Sequence, residues 1–379
     1  MAETFQHLGI YSDIVDEARK QRSLYPSAPP GEVTRKRLRE ILGFCDGPEA
    51  PINVQVDQHW EKDGLEGEII SWWVGYGPRT QAYLLKPAGV RHPLPGIVAL
   101  HDHSGFKFYG KEKIADGPGE ILQVLADFRA VYYESRAYVN ALAREGFIVL
   151  AHDTFLWGSR KFSLDSMPEH IGDLARLTTS TWPPYPVFPP EIAVYNEATG
   201  YHEHLIEKYC NLLGTTMAGV VCHEDRVALN YLLSRPELDP NRVGCVGLSG
   251  GGNRAALLLA THERVKAAVI VGLMTTYEHL LDHNVWSHTW MLFPSQWARY
   301  GDWPDIAASR APNPLLVQYD LDDDLFTPQG METAHQRITG HYASVGHPEA
   351  YQGQFYPGPH KFNLEMQAAA FGWLKQHLE

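Results

Sequence analysis

Cysteine is scarce in this chain: Cys45, Cys210, Cys222 and Cys245 are its only four, scattered, with no CxxC spacing. A disulfide framework is therefore not expected, and the pattern reads as buried free thiols in a reducing, cytoplasmic compartment. Positive charge is also in deficit, with 32 Lys and Arg against 45 Asp and Glu and a net charge of −13. Phosphate backbones and anionic bilayers attract basic patches, so neither nucleic acid nor a membrane is expected as the main partner. No apolar run reaches the ~18 residues of a membrane span. The segment Met1 to His7 has neither a basic n-region nor an apolar h-region, so no secretory signal is expected there. Internal repeats are absent, and no linker is long enough to demand two independent domains.

What is present is an ordinary globular composition, 44% hydrophobic and 20% charged, over 379 residues, which suits one large α/β domain with insertions. Residues 7 to 24 and 31 to 43 read as helices separated by Pro26, Pro29 and Pro30. Residues 1–50 are thus expected as a helical extension that covers the sheet, walls a pocket or forms a homodimer contact, and residues 51–379 as the main domain. Ile52 to Trp60, Gly67 to Val74 and Thr80 to Leu85 predict an antiparallel meander. Five buried strands follow, at 96–100, 147–151, 243–246, 265–271 and 315–319, then a last strand at 351–356 and a closing helix at 364–378. A further helix is predicted around 135–144. Strands alternating with helices imply a mostly parallel sheet covered on both faces. Insertions near 154–220 and 276–310 interrupt that rhythm. The first contains Trp182 to Pro190, expected to be extended and stiff, and the second carries Trp286, Trp290, Trp297 and Trp303.

The pentapeptide Gly247-Leu248-Ser249-Gly250-Gly251 sits between a strand-like run and a helix-like run. A strand, a very tight turn and a helix are what a nucleophile elbow needs to expose a serine hydroxyl. Glycines relieve crowding around the strained serine, and the helix N-terminus favours developing negative charge. Serine is a poor nucleophile near neutral pH unless a base and an orienting carboxylate follow. His360 follows the last strand and is the expected base. The acid is expected in Asp320-Leu321-Asp322-Asp323-Asp324, where the D-x-[LV]-[FV]-x-P form selects Asp323, with Asp322 and Asp320 as alternatives. A calcium loop is rejected there, because Leu325 and Met331 occupy the positions of the required glycine and glutamate.

Two N–H groups should receive the oxyanion. Gly250, directly after the serine, supplies one. His103, in the loop His101-Asp102-His103-Ser104-Gly105 after the first buried strand, supplies the other. A rival reading makes His101 and His103 metal ligands, with His152 and Asp153 completing the set. It leaves Ser249, Asp323 and His360 unexplained, so no metal and no cofactor is expected.

With these motifs in place, residues 80–379 resemble the α/β-hydrolase superfamily, and within it the dienelactone hydrolase and acetyl xylan esterase-like branch. The approach Leu238-Asp239-Pro240-Asn241-Arg242-Val243 to the elbow, and Asp153 with Gly158 and Arg160, are similar to that branch. The resemblance implies an α/β-hydrolase fold and a serine esterase acting on a small-molecule ester through an acyl-enzyme. A sugar or small metabolite carrying an acetyl or other short acyl group is the substrate class it implies. It also brings His101, Asp153, Arg160, Trp286 and Trp290 forward as substrate-binding candidates. The same triad serves lactone opening, acyl transfer or C–C bond hydrolysis in other members, and a non-catalytic binding protein is the third class of reading. Three departures stand out. The nucleophile is serine, not the cysteine of true dienelactone hydrolases. Gly250 stands where glucuronoyl esterases typically have arginine and cephalosporin C deacetylases glutamine. Asp102 stands where glycine is usual.

Overall fold

A computed structural model describes residues 4–45, 47–181 and 188–378. Most of the stretch expected to be stiff, residues 182–187, lies outside them. Nine strands form one sheet in the order β1-β2-β3-β5-β4-β6-β7-β8-β9. The meander predicted at its edge is β1 (Ile52–Lys62), β2 (Leu65–Trp73) and β3 (Thr80–Pro87). β3 then joins the buried part of the sheet by pairing antiparallel with β5 (Ile148–His152). From β5 onward all pairings are parallel, through β4 (Leu94–Leu100), β6 (Leu238–Leu248), β7 (Ala267–Val271), β8 (Leu315–Asp320) and β9 (Tyr351–Tyr356). Their carboxyl ends therefore point the same way.

The buried strands are apolar on both faces because helices cover both. Ile97 and Ala99 pack with α3 (Gln123–Tyr132), α4 (Tyr138–Arg144) and α11 (Leu364–Leu378). Their neighbours Val98 and Leu100 point the other way, into a core shared with α7 (Met217–Leu233), α8 (Gly250–Thr261), α9 (Trp303–Ala308) and α10 (Pro328–Ser344). Helix α2 (Glu32–Leu42) enters that second core through Leu38 and Leu42, both fully buried, at roughly 1.5–3 kcal/mol per side chain. The N-terminal extension is thus laid over the helical layer rather than on the sheet itself. Helix α1 (Asp13–Gln21) is shorter than the predicted 7 to 24 and follows a 3-10 turn at Gly9–Tyr11.

The helix predicted from residue 135 begins at Tyr138, because Glu134 and Ser135 both have positive φ, which no α-helix accepts. Helix α3 was not expected. The first insertion folds mainly as α5 (Glu169–Ser180) and the 23-residue α6 (Pro190–Leu212), joined by a satellite cluster of Met167, Ile171, Ala175, Tyr195 and Ala198. The four cysteines are free, three buried and Cys45 half-buried. Among the described residues no helix is long and apolar enough to cross a membrane.

Candidate active site

Ser249 directly follows β6 with φ 57° and ψ −122°, a strained backbone that costs on the order of 1–3 kcal/mol. Its N–H donates to Val271 O of β7 at 2.8 Å, which clamps the turn to the neighbouring strand. Two glycines permit the close approach. A Cβ on Gly247 would lie 2.4 Å from the carbonyl carbon of Gly251, and one on Gly251 would lie 2.1 Å from Leu100 O. The chain leaves through α8, whose first residue is Gly250.

The loops after β8 and β9 carry the expected acid and the expected base. His360 Nδ1 lies 2.6 Å from Asp323 Oδ2, so it donates there, and the other Asp323 oxygen accepts Leu325 N–H at 2.8 Å. The alternatives do not reach the imidazole in this way. Asp322 is exposed and accepts Gly358 N–H at 2.8 Å, while buried Asp320 accepts Lys361 N–H at 3.3 Å. Burial pulls the His360 pKa down, but the hydrogen bond and charge of Asp323, with Asp320 and Asp102 behind, outweigh it and raise the pKa. Burial lifts Asp320 to about 7. His360 Nε2 is buried with no hydrogen-bond partner among the described residues. Its ring lies over Gly272, where a Cβ would be 3.2 Å from Cε1, immediately after the Val271 that clamps Ser249. Asp320, Asp323 and His360 have ligand atoms within 4.8 Å of one another, a spacing also open to a cation, but the Asp323–Nδ1 bond places a proton in that space.

The loop after β4 meets the elbow directly. A Cβ on Gly250 would lie 2.7 Å from His103 N. Neither the Gly250 nor the His103 N–H has an acceptor among the described residues. Asp102, at the position where glycine is usual, is fully buried; Oδ2 takes Lys113 Nζ at 2.9 Å and Oδ1 takes the Tyr133 hydroxyl. The His103 ring accepts Gly105 N–H at Nδ1 and donates from Nε2 to Glu203 Oε2 at 2.8 Å. Buried Glu203 also holds Lys107 Nζ, Thr289 Oγ1 at 2.8 Å and Trp290 N–H at 3.1 Å. Burial alone would raise the Glu203 pKa, but Lys107 and His103 hold it well below the carboxylate range.

Three residues expected at the substrate are instead internal braces. His101 is buried, with Nδ1 donating to Asp102 O at 3.0 Å, and burial keeps its pKa well down. Asp153 is fully buried and accepts Lys111 N–H, Lys111 Nζ and Ser159 N–H at 2.8–3.0 Å. It fills the space beside Gly158, where φ is +57° and a Cβ would meet the carboxylate at 2.5 Å. Arg160 is buried against Glu224 and the Tyr76 and Pro78 carbonyls. The ligand set of the metal reading is dispersed in the same way: His152 pairs with Asp225, His103 with Glu203 and Asp153 with Lys111.

Trp286 and Trp290 do meet, in a cleft of about 260 Å³ that opens beside His103 and includes Glu203 and His204. Trp290 Nε1 donates to His204 Nδ1 at 2.9 Å, and the Trp286 ring stacks on His204 at 5.5 Å with 75% of its surface exposed. Sequence reasoning missed Lys113, Tyr133, Glu203 and Lys107. They lie in segments without motif or period, so only the folded contacts bring them out.

A model of the prolyl oligopeptidase family (Peptidase_S9) matches residues 211–352, the span of α7, the elbow and the acid loop. YtaP of Bacillus subtilis (strain 168), a protein provisionally named a hydrolase, is 24% identical over 322 residues, covering 84% of this chain and 90% of its own. Among solved structures, a Bacteroides fragilis protein provisionally described as an acetyl xylan esterase superposes with a TM-score of 0.64 at 17% identity, over 86% of this chain and 73% of that one. A glucuronoyl esterase from Solibacter usitatus does so with a TM-score of 0.61 at 15% identity, over 91% of each. With its mostly parallel sheet, its elbow after β6 and its late aspartate and histidine loops, the chain has an α/β-hydrolase fold.

Proposed function

We propose that the protein is a serine hydrolase of carboxylic esters, acting on a sugar or other small polar molecule that carries a short acyl group. The observation that carries this reading is one juxtaposition. A strained serine on an elbow stands beside two N–H groups that have no acceptor among the described residues, and the order of the chain adds a histidine fixed at Nδ1 by a buried aspartate. In the reaction Ser249 Oγ attacks the acyl carbon while His360 Nε2 takes the hydroxyl proton. Asp323 holds the Nδ1–H tautomer and stabilises the imidazolium. The carbonyl oxygen becomes an oxyanion within reach of the Gly250 and His103 N–H groups. His360 then returns the proton to the departing alcohol, and a water activated by the same nitrogen cleaves the acyl-enzyme.

The cleft supports the polar alcohol. Glu197, Glu203, His103 and His204 line it, and the exposed face of Trp286 offers a flat apolar surface of the sort on which sugar rings rest. The Bacteroides fragilis protein that shares the fold is described by an ester of this kind, acetyl xylan, whereas in a glucuronoyl ester the sugar is the acyl part.

A fluorophosphonate probe is expected to label Ser249 in the folded protein, and Ser249→Ala to lose labelling and at least about 10⁴-fold of the ester hydrolysis rate. Rates on p-nitrophenyl esters from acetate to octanoate should fall with acyl length. Full esterase activity in Ser249→Ala that a chelator abolishes would replace this reading with a metal-dependent one.

A further inference from the structure

One peptide group of the oxyanion loop is hydrogen-bonded on a single side. The oxygen of the Asp102–His103 peptide receives Lys113 Nζ and, at 3.0 Å, His101 Nδ1. The N–H of the same peptide has no acceptor among the described residues and lies against Gly250. A trans peptide is planar, with its N–H and C=O pointing in opposite directions, so a group that grips the oxygen also aims the N–H. A cation at the oxygen does more, because it draws electron density through the amide and makes the N–H a stronger donor.

We propose that Lys113 is a positioning residue for the oxyanion: its ammonium, held in place by Asp102, grips the Asp102–His103 carbonyl and so aims and polarises the His103 N–H. The inference rests on the ester hydrolase reading above. It also accounts for Asp102, the aspartate at a position usually given to glycine. Lys113 is fully buried, and a buried ammonium without a countercharge gives up its proton. Asp102 supplies that charge at 2.9 Å, and the Tyr133 hydroxyl occupies its second oxygen, so the carboxylate cannot swing away. Lys113 Nζ also reaches His103 O at 3.5 Å, which puts the cation at the carbonyls on both sides of the donor residue. Asp102 and Lys113, eleven residues apart, come from the β4 loop and the 3-10 turn Lys111–Lys113, and Tyr133 joins them from the end of α3.

A buried ion pair can serve packing alone, and in that case two neutral groups of similar shape would replace it without loss of rate. The test is therefore the pair of variants Lys113→Met and Lys113→Met with Asp102→Asn, compared with unmodified protein on p-nitrophenyl acetate. The double variant, which leaves no lone buried charge, is expected to keep the thermal midpoint near that of the unmodified protein and KM within about two-fold. Its kcat should fall by about 10-fold or more, and its affinity for a trifluoromethyl ketone, which forms a tetrahedral oxyanion on Ser249, should fall by the same factor. A folded double variant with both quantities within about two-fold of the unmodified protein overturns the inference. Should neither variant fold, the phosphonate adduct of the unmodified protein decides. Its phosphoryl oxygen must lie about 2.7–3.1 Å from His103 N while Lys113 Nζ stays on Asp102 O, and an oxygen bonded elsewhere overturns the inference. An unmodified protein that fluorophosphonates do not label removes the ester hydrolase reading and this inference together. A labelled, active protein whose double variant loses nothing removes this inference alone.

Discussion

The two sides of the candidate site are built in opposite ways. On the β6 side the elbow works by leaving side chains out: Gly247 and Gly251 let backbone meet backbone at distances no Cβ could share. On the β4 side the loop works by putting charge in, with Asp102, Lys113 and the Tyr133 hydroxyl buried together beneath it and Glu203 with Lys107 beside it. The first solution is steric and tolerates no substitution. The second is electrostatic, and it holds only while each charge keeps its partner, since an unpaired buried ion costs several kcal/mol. The contrast teaches where each side is vulnerable: the elbow to added volume, the loop to lost charge.

Three substitutions, in falling order of effect, and one near-neutral control sharpen that contrast. Asp323→Asn removes the carboxylate that fixes the base and should lower kcat by about 10⁴-fold, whereas exposed Asp322→Asn should change it less than about three-fold. Steady-state rates separate the two. The pH profile gives a second reading of the first variant. In the proposed reaction His360 acts as a base only when neutral, and Asp323 raises its pKa, so activity is expected to be lost as pH falls through that raised value. Residual activity in Asp323→Asn should therefore persist to lower pH than in the unmodified protein. Gly251→Ala tests the steric side. Its Cβ would lie 2.1 Å from Leu100 O, and denaturant melts should show a loss of about 3 kcal/mol or more, with little soluble protein as the extreme outcome. Trp286→Ala tests the cleft wall beside the charged loop. KM for an acetylated sugar should rise about five-fold while p-nitrophenyl acetate turnover stays level. An equal change on both substrates would detach Trp286 from sugar recognition.

Much of the steric side could be read along the chain. Runs such as 96–100 and 147–151 are apolar at every position because both faces of their strands are covered, and the elbow glycines are contiguous in sequence. His360 stands out in sequence by its place after the last strand, and its ring is hydrogen-bonded to Asp323. The charged side was opaque for a physical reason: Lys107, Lys113 and Glu203 owe their meaning to partners folded against them, and a lysine in sequence looks alike whether exposed or buried. The same blindness applies to His101, Asp153 and Arg160, whose internal contacts the sequence does not announce. Their side chains turn inward, where a backbone carbonyl, backbone N–H groups and ions meet them as partners. Among the aspartates of the β8 loop the D-x-[LV]-[FV]-x-P form already selects Asp323; Asp320 and Asp323 are both buried, and Asp323 is the one hydrogen-bonded to Nδ1.

Glu203 has a consequence for how such a protein can diversify. It stands on α6, in the first insertion, yet its two oxygens are shared by His103, Lys107, Thr289 and Trp290, which come from the β4 loop, the segment after it and the second insertion. The two insertions are therefore not interchangeable modules. Grafting either one alone from a relative with a different cleft would strand a buried carboxylate or its donors, so new specificity has to arrive through coordinated replacement of both segments, or through changes confined to side chains such as Trp286 that hang free of the knot.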